Sequence, residues 1–255
     1  MARAQTGPRR ETAGGVRVGE PRVAVVLGGA GKIGGAVARA MLREGAHVVV
    51  PSRSPERLAR LAQAAGADGR LVTLEADVGD ENGAQAVLAQ VLDRFGAYDS
   101  VVVSLGSYWR GQSAIETPLA VWRERLHENF LTHVIAARVF LPPLLERQGA
   151  TYIAINGMAA DAPRPGSALI PITGVAQEML VRQLAAEHRG AAVRILTVML
   201  GPIRSVESDP AMHEQHPEFV TADEVGEFVA LVASERCRMV HDTLIRLPYR
   251  PATTA

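Results

Sequence analysis

Lysine is almost missing from this chain: Lys32 is the only one among its 27 basic residues, so chemistry that needs an ammonium group elsewhere has no lysine to supply it. Cysteine is as scarce. Cys237 stands alone, which excludes an intramolecular disulfide and fits a reducing, cytoplasmic setting. No apolar run reaches the roughly 18 residues that a bilayer-spanning helix needs, so no membrane span is expected. Neither sign of charge is in excess, with 27 basic and 27 acidic residues, and no net field recruits nucleic acid or an anionic membrane surface. Residues 1–20 hold no apolar stretch and are rich in Arg, Gly, Thr and Glu. That composition excludes a secretory signal and predicts a disordered tail.

What is present is a core. An apolar content of 47% over 255 residues suffices for one large α/β domain, expected over 21–250. Apolar, β-branched runs at 22–27, 47–50, 71–74, 101–104, 152–155, 193–198 and 243–247 read as seven strands. Helical periodicity fills the gaps at 33–44, 56–65, 82–95, 119–147, 173–188 and 222–234. Strands that are apolar on both faces and alternate with helices predict a single Rossmann-type, doubly wound domain, a seven-stranded parallel sheet flanked by helices.

The first strand runs into Gly28-Gly29-Ala30-Gly31-Lys32-Ile33-Gly34, and a helix opens at Ile33. Glycines there permit a tight turn and close approach to a pyrophosphate, while the helix N-terminus offers unpaired N–H groups and partial positive charge. At the end of the second strand, where an acid would bond the ribose of NAD, stands Pro51-Ser52-Arg53. Arg53 and Lys32 suit a 2′-phosphate, so NADP(H) is expected over NAD(H). Arg53 could instead cap the following helix. Asp77-Val78, after the third strand, suits an adenine contact, with a helix N-cap as the other role for Asp77.

These features together resemble the short-chain dehydrogenase/reductase family over 22–247. Asp77-Val78 matches its adenine-contact position, and the segment 99–106 matches one that ends Asn-Asn-Ala-Gly in the family, here keeping only Gly106. Asn129 falls where the family carries its water-holding asparagine, and Leu200-Gly201-Pro202-Ile203-Arg204-Ser205 resembles the stretch that covers the nicotinamide. The resemblance breaks at the proton relay. Gly157 stands at the serine position, Ile170 at the tyrosine and Gly174 at the lysine, in a register anchored by Leu180-Val181-Arg182-Gln183-Leu184-Ala185-Ala186-Glu187. The tyrosines (Tyr98, Tyr108, Tyr152 and Tyr249) all lie outside 161–187. General acid–base help is worth about 10²- to 10⁴-fold, so redox turnover by that route should be slow at best. The resemblance further implies a small-molecule substrate and a homodimer or homotetramer built on 119–147 and 173–188.

Candidate replacements line the expected substrate rim: Tyr108, Trp109 and Arg110, then Asn156, Asp161 and Arg164. Each also has a structural role open to it: Asn156 as a turn residue, Asp161 with Arg164 as a solvated pair, Tyr108 with Trp109 as an apolar wall, and Asn129 as a holder of helix backbone groups. His213 and His216 have helical ligand spacing beside Glu214, but no supporting cluster makes them a metal site, and none is expected. Three functions fit: a divergent enzyme that binds NADP(H) and a small apolar molecule, a non-catalytic subunit partnering a catalytic homologue, and a cofactor-free lyase, isomerase or cyclase.

Overall fold

Segments such as VAVVL can bury both faces only inside a sheet covered by helices on each side. The computed structural model of the chain, which describes residues 21–66, 68–204 and 219–247, builds that arrangement. Its strands are β1 (Val23–Leu27), β2 (His47–Ser52), β3 (Leu71–Glu75), β4 (Ser100–Val103), β5 (Thr151–Gly157), β6 (Arg194–Leu200), β7 (Ile203–Arg204), β8 (Val220–Thr221) and β9 (Leu244–Leu247). Seven of them form one sheet in the order β3-β2-β1-β4-β5-β6-β9, every pairing parallel. The expected fold class is therefore observed. The short β7–β8 ladder was not legible as strands, because two residues carry no periodicity.

The helices are α1 (Lys32–Arg43), α2 (Pro55–Ala65), α3 (Glu81–Phe95), α4 (Leu119–Leu126), α5 (Thr132–Phe140), α6 (Pro142–Leu145), α7 (Leu169–Glu187) and α8 (Ala222–Ala233). Two cores follow. On one face Val25, Val101 and Tyr152 pack with Val87 of α3, Phe140 of α5 and Val181 of α7. On the other, Val26, Val48 and Val102 meet Val37 of α1, Leu58 of α2 and Val229 of α8. Helices α1 and α8 cross so closely that a Cβ on Gly226 would sit 2.5 Å from the Ala36 carbonyl oxygen.

The single helix expected over 119–147 is broken twice. A π-helical turn, His127–Leu131, separates α4 from α5, and Pro142 with Pro143 restarts the chain as α6 because proline lacks the N–H that would continue α5. Helix α7 begins at Leu169, four residues before the expected 173. Pro171 is tolerated there because first-turn N–H groups have no intrahelical partner. Strand order reverses between β1 and β4, and the crevice at their C-terminal ends is where doubly wound sheets bind ligands.

Candidate functional site

The turn after β1 is shaped by backbone contacts. Gly28 has φ +80, and a Cβ there would lie 2.2 Å from the Ser104 carbonyl oxygen; one on Gly34 would lie 2.3 Å from the Gly28 oxygen. Only glycine fits either position. Gly31 is the N-cap of α1 in extended conformation, with no side chain capping the helix and no acid in its first turn. Lys32, Ile33 and Gly34 thus open a helix that carries no acid in its own first turn. All five sequence-predicted turn residues come together here.

At the next two strand ends the alternatives weighed from sequence resolve. Ser54, not Arg53, caps α2 by accepting from the Arg57 N–H at 3.2 Å. Asp80, not Asp77, caps α3 by accepting from the Gly83 N–H at 3.0 Å. Asp77 instead accepts from the Gly79 N–H at 2.9 Å. Arg53 reaches across to it, 3.7 Å from its carboxylate, with the arginine side chain 75% exposed. So open a pair adds little to stability. Val78 is buried beneath.

Beyond β4 the chain is latched by two side chains. Gly106, at φ +118, passes Asn129 so closely that a Cβ would sit 3.0 Å from its Oδ1. That oxygen accepts from the Ser107 N–H at 2.8 Å, and Nδ2 donates back to the Ser107 carbonyl at 3.0 Å. Asn129 therefore holds loop backbone rather than helix backbone. Its own carbonyl, within the π turn, accepts from Gln177 Nε2. His133 Nε2 lies 3.1 Å from the Leu105 carbonyl. Burial pushes its pKa down to about 4, so the ring is neutral near pH 7 and the geometry makes Nε2 the protonated nitrogen.

At the C-terminal end of β5, Asn156 Nδ2 donates to the Gly174 carbonyl at 2.8 Å, and Oδ1 accepts from the Gly157 N–H at 2.7 Å. Asn156 lies within β5 and not in a turn, a correction to the turn role considered for it, although its amide does bond backbone at both ends. A Cβ on Gly174 would come within 2.9 Å of the Ala160 Cβ and 3.2 Å of Asn156 Oδ1, whereas at Gly157 the nearest atom is 4.0 Å away. Asp161 pairs with Arg246 of β9 at 3.0 Å and not with Arg164, a correction to the pair expected from sequence. Tyr108 is 74% exposed, while Tyr98 and Tyr152 lie in the core, where burial raises their pKa values. Tyr249, Ser205, His213, Glu214 and His216 lie outside the described residues.

Beside α7 an apolar cavity of about 650 Å³ is lined by Ala160, Pro163, Pro165, Pro171, Ile172 and Val175, with Asp161 and Arg164 at its border. Among the described residues no three His, Cys, Asp or Glu side chains gather as metal ligands. No described helix is long and apolar enough to cross a membrane. Gln177 and His133 escaped the sequence reading. A polar residue one turn beyond Gly174 on the same helix face was the available signal for Gln177.

A glycine turn opening onto an uncapped helix at the switch point of a doubly wound parallel sheet defines a Rossmann-type, dinucleotide-binding class of domain. Residues 22–216 match the short chain dehydrogenase family, and the chain belongs to it. It is 33% identical over 187 residues to 1-deoxy-11-beta-hydroxypentalenate dehydrogenase of Streptomyces exfoliatus, covering 72% of this chain and 68% of that one. Its fold is shared with 3-ketoacyl-(acyl-carrier-protein) reductase from Brucella melitensis, solved with NADH (TM-score 0.79, 20% identity, 89% of this chain and 97% of that chain). It is shared too with a metagenomic short-chain oxidoreductase solved with NADP (TM-score 0.75, 24% identity, 89% and 96%).

Proposed function

We propose that the chain binds NADP(H) across the C-terminal ends of β1, β2 and β4, with a small, mostly apolar molecule in the cavity beside α7. Its chemistry, redox or non-redox, uses groups other than a serine, tyrosine and lysine relay. The observation that carries this reading is the contrast between the two ends of the cleft. At one end a tight turn, in which Gly28 and Gly34 admit no side chain, opens onto the N-terminus of α1, where a pyrophosphate would sit. At the other, residue 174 has no side chain and no room for one without a shift of Ala160.

In this reading Lys32 and Arg53 meet the 2′-phosphate, Asp77 and Val78 border the adenine, and Gly106 lets the chain run close to the ligand. The dinucleotide, when bound, supplies a hydride donor or acceptor. The NADH and NADP complexes of the two similar structures support a nicotinamide dinucleotide as the ligand class. Calorimetric titration with NADPH should give saturable, one-site binding, and its absence would refute the cofactor reading. Panels of ketones and alcohols should give negligible turnover. Robust ketone reduction would defeat the relay-free part and direct attention to Tyr108, then Asp161, as replacement acid.

A second reading, a non-catalytic subunit in a homodimer, homotetramer or mixed oligomer with a catalytic homologue, is favoured by one feature. Helix α7 presents Ile172, Val175 and Met179 to solvent at 47, 51 and 53% exposure, an apolar stripe at helical spacing. Light scattering during size-exclusion chromatography should report more than one chain per particle. A monomer at micromolar concentration would count against that reading.

A further inference from the structure

The loop that follows β4 forms one wall of the crevice. The Ser104 N–H donates to the Leu27 carbonyl at 2.9 Å, and a Cβ on Gly28 would stand 2.2 Å from the Ser104 carbonyl oxygen and 3.4 Å from Leu105 Cδ2. Ser104 and Leu105 therefore lie directly against the glycine turn. Residues 105–107 are held from the helical side. His133 of α5 bonds the Leu105 carbonyl, and the Asn129 carboxamide accepts from the Ser107 N–H and donates to the Ser107 carbonyl. Two bonds from one planar group fix both the place and the direction of the chain at Ser107.

The π turn that carries Asn129 is itself tied to α7, because Gln177 Nε2 donates to the Asn129 carbonyl. Asn129 is 4% exposed and Gln177 7%, so water cannot stand in for this donor without entering the core. A carboxamide costs free energy to bury unless it is bonded, and the bond that Gln177 makes is to the residue that holds the crevice loop. Resting on the NADP(H) reading above, we propose that Gln177 is a positioning residue: acting through Asn129, it sets the place of residues 105–107 and so the width of the crevice between the β1 turn and the β4 loop. Helix α7 also supplies Pro171, Ile172 and Val175 to the apolar cavity. One helix thus walls one half of the proposed site and supports the other.

Gln177→Met keeps an unbranched side chain of similar length and removes the donor. In that variant, exchange of the Ser107 amide followed by NMR should be about tenfold faster than in wild type, the effect of leaving one buried acceptor without its donor. Amides of β5 and β6 should keep their rates, which separates a loosened loop from a loosened fold. By calorimetry the Kd for NADP⁺ should rise about five- to tenfold; in an Asn129→Ala background the same substitution should add less than about twofold, because groups acting through one path are not additive. NADP⁺ binding by Gln177→Met as tight as by wild type, or a full additive loss on top of Asn129→Ala, would overturn the inference and leave the cofactor reading standing. A wild type that binds neither NADPH nor NADP⁺ would remove that reading and the inference with it. If the variants fold poorly, the wild type still decides: saturating NADP⁺ should shift the Ser107 amide resonance, and an unmoved resonance would put the loop outside the site and the inference in error.

Discussion

A methyl group added at residue 174 probes whether the cleft beside α7 is closed as tightly as the geometry implies. In an open helical site Gly174→Ala should stabilise the protein by about 1 kcal/mol, because alanine is the better helix former. Here the added carbon would stand 2.9 Å from the Ala160 Cβ and 3.2 Å from Asn156 Oδ1. Both neighbours are held: Ala160 is buried in the 3₁₀ turn Met158–Asp161, and Asn156 is bonded at both ends of its amide. Overpacking of this kind costs about 1–3 kcal/mol. The net expectation is a loss of roughly 1 kcal/mol, or about 2–4 °C in Tm for a protein of this size. Urea unfolding of the wild type, Gly174→Ala, Ala160→Gly and the double variant gives the coupling. Removing the opposing methyl should recover the loss, with an interaction energy of at least about 0.5 kcal/mol. Gly157→Ala is the control, since its nearest neighbour is 4.0 Å away and its φ of −109 suits any residue. A Gly174→Ala protein more stable than wild type would refute the closed-site reasoning and make a lysine at 174 sterically plausible.

Removal of the exposed guanidinium in Arg53→Ala should leave the fold intact and lower the preference for NADPH over NADH, expected to be about tenfold or 1.4 kcal/mol, measured as a ratio of Kd values. An unchanged ratio would take the 2′-phosphate away from Arg53. Burial of His133 lowers its pKa from 6.5 to about 4, so the unfolded chain takes up a proton near pH 6.5 that the folded chain refuses until about pH 4. The stability involved, up to about 3 kcal/mol, is complete above pH 6.5 and falls as pH drops toward 4. Urea midpoints between pH 7 and 4.5 should show this decline in wild type and a shallower one in His133→Gln; parallel curves would assign the acid sensitivity to other groups.

The fold was legible because its signals are local. VAVVL at β1 and the apolar runs of β4 and β6 are buried throughout, and such segments have few other places to lie. The tight glycine turn after β1 was legible for the same reason, since each glycine there answers to a contact within the turn or with the adjoining strand end. Misreadings arose where tertiary contacts decide. The π turn at His127–Leu131 leaves the apolar pattern of 119–147 almost unchanged, so periodicity cannot show it. Asp161 finds Arg246 across 85 positions of sequence. Gln177, a polar residue on a long helix, reads as surface but is buried, because the carbonyl that it covers lies 48 positions earlier.

Gly28 shows why conformational demand and ligand demand must be separated before any residue is assigned to the cofactor. From sequence alone a bulky residue at 28 is expected to block phosphate approach while sparing the sheet. The structure corrects that expectation: φ is +80, and the first added carbon would strike the Ser104 carbonyl at 2.2 Å, so substitution disturbs the junction of β1 with β4 whether or not a ligand binds. The glycine is required by the fold, and loss of binding on its replacement would say little about phosphate. The uncapped N-terminus of α1 and the solvent-facing Arg53 are different, because neither serves the packing around it. A helix start gains about 1 kcal/mol from a capping side chain, and α2, α3 and α8 each have one. Helix α1 lacks one, as α4 and α7 also do, but α1 opens at the switch point of the sheet, where a bound phosphate would supply the missing acceptor.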